Sequence, residues 1–323
     1  MEHKENRPIN LHDPGTVTVR QALREGAEFL SRMGAESARL DAELLLGMAL
    51  GCPREKLCLN HEMALGFPVK DLYCSLLERR ARREPLSYIV GRREFWSLEF
   101  YVAPEVLVPR PETELLVEVT LGLAKELDKK HPIKILDLGT GSGAVAVSLA
   151  KELGDVEIWA TDLSARCLEV ARSNALHHGV EEKIHFLQGD LFGPVRSQLN
   201  FFDMVVSNPP YVRQRELKNL PPEVREWEPK LALDGGADGL DFYRRIMAEG
   251  HLYLADGGFV TLEIGADMGE EVCRLIAKAV CYSALSVRQD YAGKDRIVIT
   301  QKLPSDTIYR GQNLNLRFEI CNL

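Results

Sequence analysis

From Ile133 onward the chain alternates short apolar segments with longer amphipathic ones, and the first short segment runs straight into a glycine-rich loop. No other feature narrows the possible folds as much. Ile133–Leu138, Val156–Thr161, Ile184–Gln188, Asp203–Ser207 and Gly258–Ile264 read as strands, with two more expected at Leu285–Gln289 and Arg296–Thr300. Between them the spacing predicts helices, among them Ser164–His178 with Ser164 as N-cap, and Leu240–Ala248. This order gives an α/β domain around a mostly parallel sheet. Right-handed crossovers then gather the strand carboxyl ends on one edge, where ligands bind.

The region ahead of this domain has a different period. Between Val17 and Arg83 apolar residues recur at helical spacing: Leu23, Ala27 and Leu30, then Leu40, Leu44, Leu45 and Met48, then Leu72, Leu76 and Leu77. Gly34 and Gly51 punctuate these stripes and Pro53 cannot continue the second helix, so residues 17–83 are expected to form a small helical bundle. Residues 84–111 are partly alternating and β-prone, with Phe95, Leu98, Phe100 and Val102, and read as a linker carrying a β-hairpin. Residues 112–303 hold the α/β domain, and 304–323 form a tail with no assignment.

A chain of 323 residues is long enough for about two domains without staples. Its formal net charge of −8 demotes nucleic acid as a partner. Seven cysteines, none in a Cys-x-x-Cys pair, read as reduced thiols and give no zinc site. No signal peptide or bilayer-spanning run is visible, so a cytoplasmic protein off the membrane is expected. The oligomeric state is left open, with a monomer as the expectation.

The chemistry gathers at the strand ends. The first strand ends in Asp137-Leu138-Gly139-Thr140-Gly141-Ser142-Gly143, glycines that let backbone approach a ligand; with Ala144 the loop also fits a dinucleotide pattern. Asp162 ends the second strand, placed to accept both ribose hydroxyls of a nucleotide or to cap the next helix. At the third, Asp190 could accept an adenine amino group and Leu191 lie against the ring. The fourth strand runs into Asn208-Pro209-Pro210-Tyr211. Successive prolines stiffen this corner and aim two acceptors outward, the Asn208 side-chain oxygen and the Pro209 carbonyl, beside the Tyr211 ring. A planar NH₂ group conjugated to a π-system fits such a clamp.

These residues resemble a class I S-adenosylmethionine-dependent methyltransferase, a Rossmann-like fold with a mostly parallel seven-stranded sheet. More narrowly, the chain is similar to the peptide chain release factor glutamine N5-methyltransferases. The narrower likeness rests on Pro85-Leu86-Ser87-Tyr88-Ile89-Val90-Gly91, Glu94-Phe95, and Val108-Pro109-Arg110-Pro111-Glu112-Thr113-Glu114. Asp41 to Leu46, Glu228 to Gly236, and Gly293-Lys294-Asp295-Arg296 add to it. The resemblance implies a cofactor pocket of Gly139, Thr140, Gly141, Ser142, Gly143, Asp162, Asp190, Leu191 and Asn208. It also implies a substrate glutamine, from the Gly-Gly-Gln loop of a class 1 release factor, held by Asn208, Pro209, Pro210 and Tyr211. The helical domain would hold the factor's body, and no direct nucleic-acid partner is implied. Some relatives carry a large aromatic where Leu191 stands. The Pro-Arg-Pro-Glu-Thr-Glu segment is expected to pack over the cofactor.

The expected reaction is in-line attack of an amide nitrogen on the sulfonium methyl group, with Asn208, Pro209 and Tyr211 in the catalytic roles and no metal, cysteine or histidine required. The same corner would serve adenine amino-methylation in DNA or RNA, or glutamine methylation of a ribosomal protein. A non-catalytic sensor would not need it, and a dehydrogenase would leave it unexplained. The basic cluster of Arg79, Arg80, Arg82, Arg83, Arg92 and Arg93 reads first as a solvated face.

Overall fold

The computed structural model describes residues 17–127, 131–306 and 319–320. The chain divides into two compact units, one comprising the chain up to Gly91 with Pro221–Trp227, the other Arg92–Leu220 with Glu228 onward.

The first unit is helical: α1 (Val19–Arg32), α2 (Ala38–Leu50), α3 (Phe67–Ala81), α4 (Leu86–Val90) and, returning from later in the sequence, α8 (Pro222–Trp227). Thr18 and Gln21 form a capping box that starts α1. Gly51 ends α2 in the left-handed conformation, φ 64°. The buried stripes differ from those read in the sequence. Val19, Ala22, Phe29 and Leu30 face the core of α1, while Leu23 and Ala27 are only half-buried. In α2 and α3, Leu40, Met48 and Leu72 are exposed. A polar residue turns α2: Asp41 is buried beside Ala42, Leu45 and Leu46, and its Oδ2 accepts from Arg80 Nε at 2.7 Å.

Arg80 also reaches Glu223 of α8 at 3.2 Å, and Arg83 meets the same carboxylate at 2.6 Å. Arg79 pairs with Glu84, and in the other unit Arg92 lies 3.2 Å from Glu99. Much of the arginine cluster is therefore internally neutralised, in place of the solvated face its spacing suggested.

The second unit opens with a hairpin, β1 (Arg92–Phe95) and β2 (Leu98–Tyr101), turned by Trp96 and Ser97 at positive φ. Helix α5 (Glu114–Glu126) leads into the α/β alternation: β3 (Ile133–Leu138), α6 (Ala144–Glu152), β4 (Val156–Asp162), α7 (Ala165–His177), β5 (Ile184–Gln188) and β6 (Phe202–Ser207). It continues with α9 (Asp241–Tyr253), β7 (Leu254–Glu263), α10 (Gly269–Ala277), β8 (Tyr282–Gln289) and β9 (Asp295–Lys302). Ser164 caps α7 by accepting from the Cys167 amide. Strand β7 starts four residues before the expected Gly258, and its register against β6 shifts between Phe202 and Met204.

The sheet order is β8-β9-β7-β6-β3-β4-β5, extended beyond β8 by a two-residue strand β10 (Glu319–Ile320). Strand β9 runs antiparallel to both β7 and β8, and the other pairings are parallel. Apart from this strand and residues 304–306, the tail lies outside the described residues. The chain leaves β3 toward β4 and β5, then returns to the other side of β3 as β6. That reversal opens a crevice beyond the carboxyl ends of β3 and β6. Ser207 Oγ donates to the Leu138 carbonyl at 2.7 Å and ties the two ends together.

Removing Asp41 leaves the buried Arg80 Nε without its acceptor, with Glu223 still facing the guanidinium. Asp41→Ala is expected to cost about 1–3 kcal/mol, measured by urea unfolding of the full chain. A loss below about 1 kcal/mol, the range of exposed pairs, would mean that the pair does not organise this core.

Candidate active site

A cavity of about 450 Å³ occupies the crevice. Its floor is the β3 loop, where Gly139 and Gly141 take φ of 73° and 57°. A Cβ built on either meets nothing within 4 Å, so both glycines open onto the space they line. The loop is anchored from β4: Gly139 and Thr140 amides donate to the Thr161 carbonyl, and the Gly141 amide donates to Asp162 Oδ2 at 2.9 Å. The other carboxylate oxygen of Asp162 accepts from the Ser164 amide at 2.9 Å. One acid thus fixes the glycine loop and the start of α7 while facing the cavity.

At the end of β5, Asp190 and Leu191 line the same space. Asp190 Oδ2 accepts from Arg245 at 2.6 Å. Leu191 is held at φ 46°, a conformation costing a non-glycine residue about 1–3 kcal/mol. Asn208, ending β6, also lines the cavity and donates its side-chain Nδ2 to Thr113 Oγ1 at 3.1 Å. Beyond it the Tyr211 phenol donates to Glu263 Oε1 at 3.4 Å, and burial pushes that phenol up from its usual range.

Among the residues singled out from the sequence, Gly139, Gly141, Asp162, Asp190, Leu191, Asn208 and Pro210 meet at this cavity. Thr140, Ser142 and Gly143 stand behind it. The Thr140 hydroxyl donates to Asp137 at 2.6 Å, the Ser142 carbonyl accepts from Asn174, and Gly143 backs onto Ala171. Pro209 is buried and Tyr211 packs against the core. Burial pushes the Asp137 carboxyl up to about 7 and the Cys167 thiol, which donates to the Glu105 carbonyl, up to about 11. That thiol is a poor nucleophile.

Sequence reasoning missed other parts of the lining. Glu105 and Leu107 arrive from the loop after β2, and Phe242 with Arg245 from α9 at i, i+3 spacing, the one local signal that both share a face. Pro229, Leu231 and Ala232 close another side. The Pro-Arg-Pro-Glu-Thr-Glu segment is not over the cavity but beside it, as a brace. Arg110 reaches the buried Glu228 at 2.6 Å, Thr113 holds Asn208, and Glu114 accepts from the Trp96 amide at 2.9 Å.

The family model described as the PrmC N-terminal domain matches residues 21–91, and that of the methyltransferase small domain matches 118–221. Among curated proteins, a release factor glutamine methyltransferase of Moorella thermoacetica is 42% identical over 286 residues, 88% of this chain and 99% of the relative. One of Geobacter sulfurreducens is 41% identical over 289 residues, with 88% and 97% covered. Among solved structures, the hMettl16 catalytic domain with the MAT2A 3′UTR hairpin 6 aligns at a TM-score of 0.54 and 14% identity. It covers 75% of this chain and 84% of that one, a likeness of fold.

The corner is packed from behind by Gly235, whose added Cβ would sit 2.7 Å from the Tyr211 Cα and 2.9 Å from the Pro210 oxygen. Backbone must move to relieve this, so Gly235→Ala is expected to cost about 1–3 kcal/mol and lower the melting temperature. An unchanged melting curve would show that the corner is not held from this side.

Proposed function

The chain belongs to the release factor glutamine methyltransferase family, and on that premise we propose that it moves a methyl group from S-adenosylmethionine to the side-chain amide nitrogen (N5) of a release-factor glutamine. The observation that carries this reading is the meeting of Asn208 with the glycine loop, Asp162 and Asp190 in one cavity.

The cavity fits the methyl donor. Its volume lies in the range of small-molecule sites, and the open Cβ positions of Gly139 and Gly141 are the clearance a ligand against the backbone needs. Asp162 spends one lone pair of each oxygen on the chain's own amides, leaving acceptor capacity for ribose hydroxyls. Asp190 and Leu191 offer a carboxylate and an apolar surface for the adenine. The donor, when bound, supplies an electrophilic methyl group on a sulfonium.

The chain's own work is on the acceptor. An amide nitrogen is a weak nucleophile because its lone pair is delocalised into the carbonyl, and no side chain here is basic enough to remove its proton first. Asn208 Oδ1 and the Pro209 carbonyl instead take the two N–H groups and turn the lone pair toward the methyl. As positive charge grows on the nitrogen and the methyl–sulfur bond breaks, both acceptors bind it more strongly, which favours the transition state over the ground state. The methylated amide, now strongly acidic, then releases one of its two protons to solvent. Buried Pro209 and the Tyr211 phenol tied to Glu263 keep the acceptors from relaxing away.

On this reading the partner is a class 1 release factor presenting its Gly-Gly-Gln loop, the helical unit holds the factor's body, and the work is done in the cytoplasm. Among the described residues no helix is long and apolar enough to cross a membrane. Amino-methylation of nucleic acid would use the same corner. The net charge of −8 and the carboxylates paired with Arg79, Arg80, Arg83 and Arg92 weigh against it.

Incubation with labelled S-adenosylmethionine, offering release factor and DNA side by side, tests the substrate. Label on the glutamine is expected, and label on DNA alone would transfer the assignment. Asn208→Ala is expected to lower turnover by about 100-fold or more while leaving cofactor affinity within about threefold. Turnover within about tenfold of wild type, ~1.4 kcal/mol of barrier, would remove Asn208 from the mechanism.

A further inference from the structure

Asp190 reaches the cavity from a loop. The loop leaves β5 through Gly189 and the positive-φ Leu191, and the Asp190 side chain is 53% exposed. Holding such a side chain in one rotamer costs conformational entropy, so an acid in this setting turns to water unless a partner keeps it in place. Among the described residues the side chain has one hydrogen-bond partner, and it comes from a distant element. Arg245 of α9 donates to Oδ2 at 2.6 Å, and both residues line the cavity.

Arg245 is the better anchored of the two. Tyr243, Ile246 and Met247 bury another face of α9 in the core beneath the sheet and fix the helix there. Phe242, one turn before Arg245, also lines the cavity, and the Arg245 guanidinium carbon lies 5.9 Å from its ring centroid. As a half-exposed ion pair, Arg245 with Asp190 adds little to the stability of the fold. Its consequence is one of orientation. Oδ2 is spent on the guanidinium, and Oδ1 has no partner among the described residues. The cavity wall thus holds a carboxylate with one oxygen free, and that oxygen can only accept.

We propose that Arg245 is a positioning residue of the donor site: it keeps the Asp190 carboxylate in the cavity wall as the acceptor for the adenine amino group, and so makes the site selective for a base that carries one. This rests on the reading of S-adenosylmethionine as the donor. An adenine amino group brings two N–H donors in the plane of the ring, and one of them meets Oδ1. A base without that group leaves the acceptor facing a C–H, so the site loses one charge-assisted hydrogen bond. When Arg245 is removed, the carboxylate turns to water whichever base is bound, and the distinction between the two bases fades.

The test is binding, read by calorimetry on the full chain with two ligands: S-adenosylhomocysteine, and the same molecule with purine in place of adenine, which lacks the amino group. Wild type is expected to bind the adenine form about tenfold more tightly, the worth of one hydrogen bond to a charged group. Arg245→Met keeps an apolar stem on α9 and should bring that ratio within about threefold, mainly by weakening the adenine form. Asp190→Ala should do the same. Adding Arg245→Met to Asp190→Ala should then change neither affinity by more than about twofold, because Arg245 acts through Asp190. A role of Arg245 in the fold alone would lower both affinities alike and leave the ratio at its wild-type value. That result, or a wild-type ratio under about threefold, overturns the proposal and leaves the donor reading intact. Wild type that binds neither ligand overturns the donor reading together with the proposal.

Discussion

Asn208 donates one N–H of its side-chain amide to Thr113, which turns the NH₂ end toward that hydroxyl and leaves the oxygen, among the described residues, without a protein donor for whatever enters the cavity. An amide side chain is two-faced, and a site that must grip another amide by its hydrogens needs the acceptor face every time. Everything near the corner restricts that choice. The prolines remove backbone freedom, Gly235 and Gly239 let neighbouring chain press against the Tyr211 backbone, and the phenol of Tyr211 is drawn to Glu263. The chemistry proposed here asks for no strong base or nucleophile. It asks for acceptors that stay where they are.

The fold puts those acceptors beside the donor pocket through one topological event. Because the chain turns back to place β6 against β3, the glycine loop and the corner emerge from neighbouring strands. Asp162 fixes the loop from one side, and Ser207 ties the corner to Leu138 from the other. The Pro-Arg-Pro-Glu-Thr-Glu segment completes the frame, with Arg110 on Glu228 and Thr113 on Asn208. Residues far apart in sequence thereby hold a site whose own members are short loops.

The α/β alternation was legible because its strands are apolar and short, and strands such as Ile133–Leu138 and Ile184–Gln188 match the expected bounds. Asp162 and Asp190 were legible as strand-end acids. The helical stripes were legible in part: Leu30, Leu45, Leu76 and Leu77 are buried, while Leu40, Met48 and Leu72 are exposed. In α2 periodicity assumes that polar residues face water, whereas Asp41 enters the core to meet Arg80. Thr140, Ser142 and Gly143 share the loop of Gly139 and Gly141 but point their contacts into the protein, a distinction that depends on neighbours such as Asn174 and Ala171. Glu263 gave no signal at all in one dimension. A lone acid at the end of an apolar strand gains its side-chain partner only when Tyr211 arrives from elsewhere in the chain.

The most direct measurement is a crystal structure of the full chain with S-adenosylhomocysteine and a glutamine-bearing loop peptide. The glutamine nitrogen is expected to lie at hydrogen-bond distance, about 2.7–3.2 Å, from both Asn208 Oδ1 and the Pro209 carbonyl, with its open face toward the sulfur. A bound glutamine whose nitrogen met neither oxygen, or a corner turned away from the sulfur, would contradict the account.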